Sequence, residues 1–341
     1  MKKLLSIVLI IAMMATFAAC GSDEPAGSDE PAGDTPVTLV IGNVAPGMDH
    51  PYNQGLVYAQ EWLEEHDSTI TLDLQINSIL GSETEMCSAV AIGDLDMVQL
   101  ADMSATNIIP QLAFANFPGI MNSWDDVLEA WGEGGWAFEI AEDLFAEKGM
   151  TLLGAMDNGF RWISNSVREI TCVDDIKGLT IRVPEVELLL DIWEKFGALT
   201  VPVAYSELTT ALQTGTVDGQ ELGISSFYQN RWDEYNPYVT QTNYNYSAAL
   251  IAINTEKFNS LSEQQQADLR AAFNYACPAQ IEYCAEFNQN GMDVMLAEGL
   301  IETPMTDEFR EEIYQIGYEL AHTDKWMDIL GEDIVNKIYS K

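Results

Sequence analysis

The chain has 341 residues, of which 54 are Asp or Glu and 15 are Lys or Arg, and its formal net charge at pH 7 is −39. Such an acidic chain is unsuited to binding nucleic acid, because that affinity depends on cationic side chains that neutralise phosphates. Hydrophobic residues make up 47% of the sequence, well above the composition of disordered chains. The length suits two domains, so we expect an acidic, soluble, globular protein.

The first segment of the chain is typical of an export signal. Residues 1–19 begin with two lysines after Met1 and continue as an uncharged, largely apolar stretch that ends in two alanines. This stretch is too short and wrongly flanked for a membrane-spanning helix. Cys20 follows at once, and the run FAACG (residues 17–21) resembles a bacterial lipobox, in which the cysteine is lipidated and becomes the mature N-terminus. Cleavage that leaves a free thiol is the alternative.

Residues 20–36 are predicted to combine the lipidated cysteine with a flexible acidic tether. The repeat GSDEPAGSDEPAGD (residues 21–34) has no apolar residue larger than alanine, and its acidic side chains repel one another. We therefore expect an extracytoplasmic domain, held by a lipid at the outer face of the bacterial cell membrane or in the periplasm.

From residue 37 onward, strand-like runs alternate with amphipathic helical runs. The predicted strands cover residues 37–41, 69–76, 96–100, 151–155, 179–183, 199–203 and 247–254. The predicted helices cover residues 55–65, 83–92, 124–148, 185–196 and 205–213. This alternation predicts an α/β fold with largely parallel sheets.

Three further patterns refine the helices. Ser82 and Glu85 form a capping box before residues 83–92, and the glycine-rich run 132–135 indicates a turn or a break within residues 124–148. A helical pattern over residues 262–297, interrupted only by Pro278, predicts a helix about 50 Å long. Since that is wider than one domain, we expect the helix to bridge two domains, with a kink at the proline.

The sequence largely lacks the motifs of catalytic and metal sites. The chain has no G-x-S-x-G, G-x-x-x-x-G-K, C-x-x-C or H-E-x-x-H motif, and the spacing of its three histidines suggests no metal cluster. We predict neither a metal nor a cofactor.

Beyond Cys20 there are four cysteines, which permits disulfides in an exported protein without requiring them. Cys277 and Cys284 lie seven residues apart in a predicted helix, a rise of about 10.5 Å, and should not pair. Four buried thiols, with Cys87 and Cys172 as the other two, are the alternative to disulfides.

One arginine stands out on a predicted strand. In GLTIRVP (residues 178–184), Arg182 lies near the end of a parallel strand, where α/β proteins bind ligands in a crevice. A guanidinium group matches a carboxylate through two parallel hydrogen bonds. From composition alone, an ion pair with one of the many acidic residues is the alternative.

Four runs carry a resemblance to a known family: ILGSETEM (79–86), NGFRWISNS (158–166), DIKGLTIRVPE (175–185) and GALTVPVAYSELTTALQTGTVDGQE (197–221). Together they closely resemble the DctP family, the extracytoplasmic solute receptors of tripartite ATP-independent periplasmic (TRAP) transporters, over roughly residues 37–340. The resemblance implies a two-lobed, periplasmic-binding-protein-like (type II) α/β fold with a long domain-spanning helix. It also implies a receptor that closes on an organic anion and delivers it to a permease of a small and a large membrane subunit.

By the same resemblance the lobes are discontinuous. Lobe I would contain residues 37–157 and about 248–287, and lobe II about 158–247 and 288–341. Arg182 matches the family arginine that pairs with the ligand carboxylate, Arg161 matches a second arginine near it, and Tyr205 falls where an aromatic residue often faces the ligand.

Two candidates depart from common family patterns. Leu222 stands where the family often has an amide after GQE, which predicts a smaller and less hydrogen-bonded anchor for the acid. Glu185 is acidic where a neutral polar residue is frequent, which predicts a hydroxyl or amino group on the ligand facing it. The remaining ligand-binding candidates are Glu221, Asn158 and His50.

Aromatic residues are frequent around these motifs, and they either pack in the core or line the cleft. If several line it, an aromatic acid becomes plausible; these residues are Phe160, Trp162, Phe227, Tyr228 and Trp232. A receptor for an ATP-driven importer or a sensor kinase, and an exported enzyme with an unfamiliar site, are the rival functions.

Overall fold

The computed structural model describes residues 34–132 and 134–339. The predicted signal segment, Cys20 and most of the predicted tether lie outside the described residues. Within the described part, no helix is both long enough and apolar enough to span a bilayer.

Eleven strands form two sheets. The strands are β1 (Val37–Gly42), β2 (Ile70–Gln75), β3 (Met97–Ala101), β4 (Met150–Phe160), β5 (Trp162–Asn165), β6 (Thr180–Val183), β7 (Leu199–Pro202), β8 (Gly219–Leu222), β9 (Tyr238–Thr240), β10 (Tyr246–Asn254) and β11 (Ile301–Thr303). The first sheet has the order β2-β1-β3-β10-β4, and the second has the order β11-β9-β5-β8-β6-β7.

Helices cover both sheets. The helices are α1 (Pro51–Glu65), α2 (Glu83–Ile92), α3 (Asp102–Ala105), α4 (Trp124–Trp131), α5 (Trp136–Ala146), α6 (Glu187–Lys195), α7 (Leu208–Gln213), α8 (Ile224–Gln229), α9 (Thr255–Ser260), α10 (Glu263–Glu298), α11 (Asp307–Ala321), α12 (Asp324–Leu330) and α13 (Glu332–Ile338). The break predicted within residues 124–148 is confirmed, because Gly132 ends α4 and Gly135 precedes α5.

The expectation of largely parallel sheets is confirmed only in part, because both sheets are mixed: among the described strands, five pairings are parallel and four are antiparallel. Strand β1 is parallel to β2 and β3, but β10 is antiparallel to both of its neighbours. In the second sheet, β6 is parallel to β7 and β8, whereas β5 is antiparallel to β8 and β9. The antiparallel strands β5 and β10 are those that the chain enters at its first two passages between the sheets, whereas β11, entered at the third passage, is parallel to β9.

The chain passes between the sheets three times, at two adjacent places and a third time through α9 and α10, between β10 and β11. Strand β4 belongs to the first sheet and β5 to the second, and only Arg161 separates them. The return passage lies between β9 and β10, and the backbone N–H of Arg161 donates to the carbonyl of Asn245 there at 2.9 Å. Arg161 therefore lies where the two sheets meet. The boundaries of the two lobes stay a prediction.

The long helix α10 contacts the cores of both sheets. It has 36 residues, begins at a Ser262–Gln265 capping box, ends at left-handed Gly299 and continues through Pro278. Leu269 and Phe273 pack in the core cluster of β1, β2 and α1, whereas Met292 and Met295 pack in a cluster with Phe227 and Trp232 of the second sheet. The predicted bridging helix is confirmed.

The four cysteines of the described part are free thiols. Cys87 and Cys284 are buried, and Cys172 and Cys277 are half-buried. The prediction that Cys277 and Cys284 do not pair is confirmed.

Candidate ligand-binding cavity

A cavity of about 890 Å³ lies between the two sheets. Its described walls come from the carboxyl ends of strands in both sheets, which is where open α/β sheets bind ligands. Residues after β1, β2 and β3 form one wall, residues at the ends of β6, β7 and β8 form the other, and Asn158 and Arg161 come from the passage between the sheets.

Arg182 lies on β6 with its side chain in the cavity wall and is only 2% exposed. Its Nε and Nη2 both donate to the carbonyl of Val203, at 2.9 and 2.7 Å, which fixes the plane of the guanidinium group. Nη1 is buried and has no hydrogen-bond partner among the described residues. Burial lowers the pKa of Arg182 to about 10, with the charge of Glu221 opposing, so the group stays protonated at neutral pH.

Arg161 is held differently, by a buried ion pair. Its Nε and Nη2 donate to the two carboxylate oxygens of Glu221, each at 2.9 Å, and the hydroxyl of Tyr244 donates to Glu221 Oε2 at 2.8 Å. Burial lowers the pKa of Arg161, but the charge and hydrogen bonds of Glu221 outweigh it, and the pKa is raised above its usual value. The charge of Arg161 is thus compensated inside the protein.

Glu221 lies on β8 and is fully buried. It stands behind Arg161 and is not among the described residues of the cavity wall. The structure therefore gives it the role of orienting Arg161, whereas the sequence had suggested a direct ligand contact.

Asn158 reaches the cavity through an irregularity in β4. In the pairing of β4 with β10, Gly159 lies opposite Ser247 and Asp157 lies opposite Ala248, so Asn158 is the extra residue of a bulge. Bulges re-aim side chains and are frequent beside binding sites. The Asn158 side chain lines the cavity, and its Nδ2 donates to Ser247 Oγ at 2.9 Å.

Tyr205 and Leu222 line the second-sheet wall. Asn230 Nδ2 donates to the Tyr205 hydroxyl at 2.9 Å, and the Tyr205 ring packs edge-on against Trp232. Leu222 ends β8 and presents an aliphatic surface. These contacts hold the Tyr205 ring in place and leave the wall apolar at Leu222.

His50 links the two sides of the cavity. Its Nδ1 accepts from the backbone N–H of Tyr52 and caps helix α1, so the proton lies on Nε2, which donates to Ser226 Oγ at 3.2 Å. Burial lowers the pKa of His50 to about 4, although Asp49 opposes this, so the imidazole is neutral at pH 7. His50 contributes a hydrogen bond across the cavity and no positive charge.

Glu185 lies on the wall at an exposed position. Its backbone carbonyl accepts a hydrogen bond from Asn107 Nδ2 at 3.0 Å, a second link between the opposite walls.

Glu83 is a wall residue that the sequence reading missed. The backbone N–H of Ala101 donates to its Oε1 at 2.9 Å, and Ser104 Oγ donates to its Oε2 at 2.5 Å. Burial raises the pKa of Glu83, and these hydrogen bonds oppose the rise. The residue belongs to the ILGSETEM run, but the capping box of Ser82 and Glu85 accounted for that run without it.

The five aromatic residues near the motifs are absent from the described cavity wall. Phe227 and Trp232 are core residues of the second sheet, and Trp162 and Tyr228 pack against that core. Phe160 packs against Trp124 and Tyr246. The positions of these five residues therefore do not support an aromatic ligand. The described residues also contain no group of side chains that could hold a metal ion.

Two α/β sheets joined by a long helix, with a cavity at the carboxyl ends of their strands and a guanidinium without a carboxylate partner in its wall, define a two-lobed solute-binding protein. The sequence model of the DctP family, described as bacterial extracellular solute-binding protein, family 7, matches residues 41–323. The chain belongs to this family, and the predicted two-lobed fold is confirmed.

Named relatives and solved structures agree with this assignment. The 2,3-diketo-L-gulonate-binding periplasmic protein YiaO of Escherichia coli is 30% identical over 248 residues, covering 70% of this chain and 72% of YiaO. The C4-dicarboxylate-binding periplasmic protein DctP of Rhodobacter capsulatus is 26% identical over 294 residues, 79% of this chain and 85% of that protein.

Two crystal structures show the same fold. The sugar acid binding protein DctPAm of Advenella mimigardefordensis, in complex with galactonate, has a TM-score of 0.82 at 22% identity, covering 90% of this chain and 97% of that one. A TRAP periplasmic solute binding protein of Polaromonas sp. JS666, bound to D-erythronate, has a TM-score of 0.80 at 26% identity, covering 88% and 97%.

Proposed function

We propose that the protein captures an organic acid in this cavity and delivers it to a TRAP-type secondary transporter of a small and a large membrane subunit. The observation that carries the proposal is Arg182 Nη1, a buried cationic donor without a partner among the described residues. An uncompensated buried charge is costly, and an anionic ligand removes that cost by pairing with it. The acids bound by the structural neighbours are consistent with such a ligand.

The test is a screen of organic acids by thermal unfolding, followed by calorimetry. An acid present at 100 times its dissociation constant should stabilise the protein by about 2.7 kcal/mol. The amide of the same acid, which has no negative charge, serves as the matched control and should stabilise it far less. Equal stabilisation by acid and amide, or no stabilisation by any acid, would contradict the proposal.

We further propose that Cys20 is lipidated and that the acidic tether holds the receptor at the outer face of the cell membrane. The support is the sequence alone: the FAACG run follows an export signal and precedes an extended acidic repeat. A Cys20→Ser variant expressed in a bacterium should lose metabolic labelling by a fatty acid and leave the membrane fraction. Retention of both label and membrane association would exclude this anchor.

A further inference from the structure

The charged residues that line the cavity are not equally available to a ligand. Arg161 and Arg182 are the two arginines among the described residues that line the cavity. Glu83, Glu85 and Glu185 are the acidic residues among them. His50 adds no charge at pH 7, because burial lowers its pKa to about 4. Glu221 already compensates Arg161. One cation, Arg182, is therefore left for the anionic group of a ligand.

Glu83 is held with its carboxylate fixed. Each of its oxygens accepts one hydrogen bond from the protein, from the backbone of Ala101 and from the hydroxyl of Ser104. Since a carboxylate oxygen has two acceptor positions, each keeps one for a group in the cavity. Glu83 at the start of α2 and Arg182 on β6 both line this one cavity, so a single ligand has access to both.

We infer that the cavity selects a monocarboxylate whose other end donates hydrogen bonds, through hydroxyl or ammonium groups, and that Glu83 is the residue that excludes dicarboxylates. The inference rests on the proposed function, because it assumes that Arg182 binds the first carboxylate. A second carboxylate would meet Glu83 with no uncompensated cation to receive it, and like charges in contact are strongly unfavourable. A hydroxyl or ammonium group would instead donate to the free positions on Glu83.

Glu83 also has a structural explanation that predicts a different result. An acidic residue in the first turn of a helix is favourable, and Glu83 joins α2 to β3 and α3 through Ala101 and Ser104. If this were its whole role, replacing Glu83 would lower the stability of the protein and leave the choice between ligands unchanged.

The experiment compares pairs of acids that share a carbon chain and differ only at the far end. Galactonate and galactarate form one pair, and D-erythronate and meso-tartrate form the other; the first member of each ends in a hydroxyl and the second in a carboxylate. Dissociation constants are measured by calorimetry at pH 7.5 for the wild type, for Glu83→Gln and for Glu61→Gln. Glu61 is an exposed residue of α1 outside the described cavity wall, so its variant controls for the loss of one negative charge.

The wild type and Glu61→Gln should bind the hydroxyl-ended acid at least about tenfold more tightly than the dicarboxylate, a difference of about 1.4 kcal/mol. In Glu83→Gln the ratio of the two dissociation constants should fall towards one, because the dicarboxylate should bind more tightly. Thermal unfolding of the ligand-free variant reports any purely structural effect separately.

Equal or tighter binding of the dicarboxylate by the wild type would overturn the inference. So would a ratio that Glu83→Gln leaves unchanged. In both cases acids still bind, so the proposed function survives. Failure of every acid in the screen to bind would contradict the proposed function itself.

Discussion

Buried charged residues divide into two kinds in this protein, those with a partner and those without one. Arg161 has a bidentate carboxylate partner, whereas Arg182 has only the carbonyl of Val203 and an unpaired Nη1. This difference is the basis of the proposal that Arg182 pairs with an anionic ligand, since a buried charge without a partner is costly. The two most deeply buried aspartates, Asp157 and Asp102, likewise differ in the hydrogen bonds that their carboxylates accept.

Asp157 should make stability depend on pH. Burial raises its pKa from 3.8 to about 6, with Cys284 and Tyr246 opposing. Because the folded state holds the proton more tightly, its contribution is fully present below about pH 4 and is lost as the pH rises through 6. Asp157→Asn cannot titrate, so its unfolding free energy should rise relative to the wild type by about 3 kcal/mol between pH 4 and pH 7. Denaturant unfolding at several pH values measures this difference.

Asp102 supplies the comparison. Burial also raises its pKa to about 6, but its oxygens accept hydrogen bonds from Ser247 Oγ, Asn116 Nδ2 and the backbone of Met103. Asp102→Asn replaces an acceptor with a donor and should destabilise the protein at neutral pH. A constant difference between Asp157→Asn and the wild type from pH 4 to pH 7 would contradict the account of Asp157.

Seven of the eight candidate residues line the cavity, although their contact with a ligand stays a prediction. Sequence gives spacing and residue type, but it does not show which of two neighbouring polar residues points into a cavity. Glu83 was overlooked because the capping box of Ser82 and Glu85 already explained the acidic residues at the start of α2. Glu221 was predicted to contact the ligand, but it pairs with Arg161 instead.

At the scale of elements, long apolar runs were predicted well and short polar strands were not. Helix α2 covers the predicted residues 83–92, whereas β1 differs from its predicted range by one residue at one end and β3 by one residue at each end. Strand β8 has four residues, all buried, but its sequence GQEL includes two polar side chains and gives no apolar run. The antiparallel direction of β10 was also missed, because alternation of strands and helices does not encode direction.

Helix α10 completes the hydrogen bonding of β4, which is an edge strand of the first sheet. Gln280 Oε1 accepts from the backbone N–H of Asp157 at 2.8 Å, and its Nε2 donates to the Asp157 carbonyl at 2.9 Å. A single side chain thus replaces the neighbouring strand at the place where the chain is about to leave the sheet.

Gln280→Ala should therefore destabilise the protein by about 2–4 kcal/mol, since it leaves two buried backbone groups unpaired. Gln264→Ala on the same helix is the control, because Gln264 is exposed and its side chain donates to Asp268 Oδ1 one turn further along the helix. That variant should stay within about 0.5 kcal/mol of the wild type. Equal changes in the free energy of unfolding for the two variants would show that the Gln280 hydrogen bonds do not stabilise the protein.

At the scale of the whole molecule, hydrogen bonds cross the cavity at its rim. His50 bonds Ser226, and Gln229 Nε2 donates to Asp49 Oδ1 at 3.1 Å. Asn107, which also lines the cavity, donates to the carbonyl of Glu185. These contacts join the two predicted lobes, as expected of a closed receptor that opens by a hinge.

Ligand binding should consequently make the protein more compact. Small-angle scattering of the wild type should show a smaller radius of gyration after addition of a bound acid, because the ligand shifts the population toward the closed form. Arg182→Ala, treated with the same acid, should show no change. A radius of gyration that stays constant in the wild type at saturating ligand would contradict the hinge mechanism.

The central claim is that Arg182 anchors the carboxylate of the ligand, and calorimetry of Arg182→Ala tests it most directly. Arg270→Ala is the control, since Arg270 is an exposed residue of α10 that lies over Phe258, outside the described cavity wall. Removing one partner of a buried charge pair costs about 2–5 kcal/mol, so Arg182→Ala should bind the acid roughly 30-fold to several-thousand-fold more weakly. Arg270→Ala should bind it as the wild type does. Unchanged affinity in a folded Arg182→Ala protein would contradict the account.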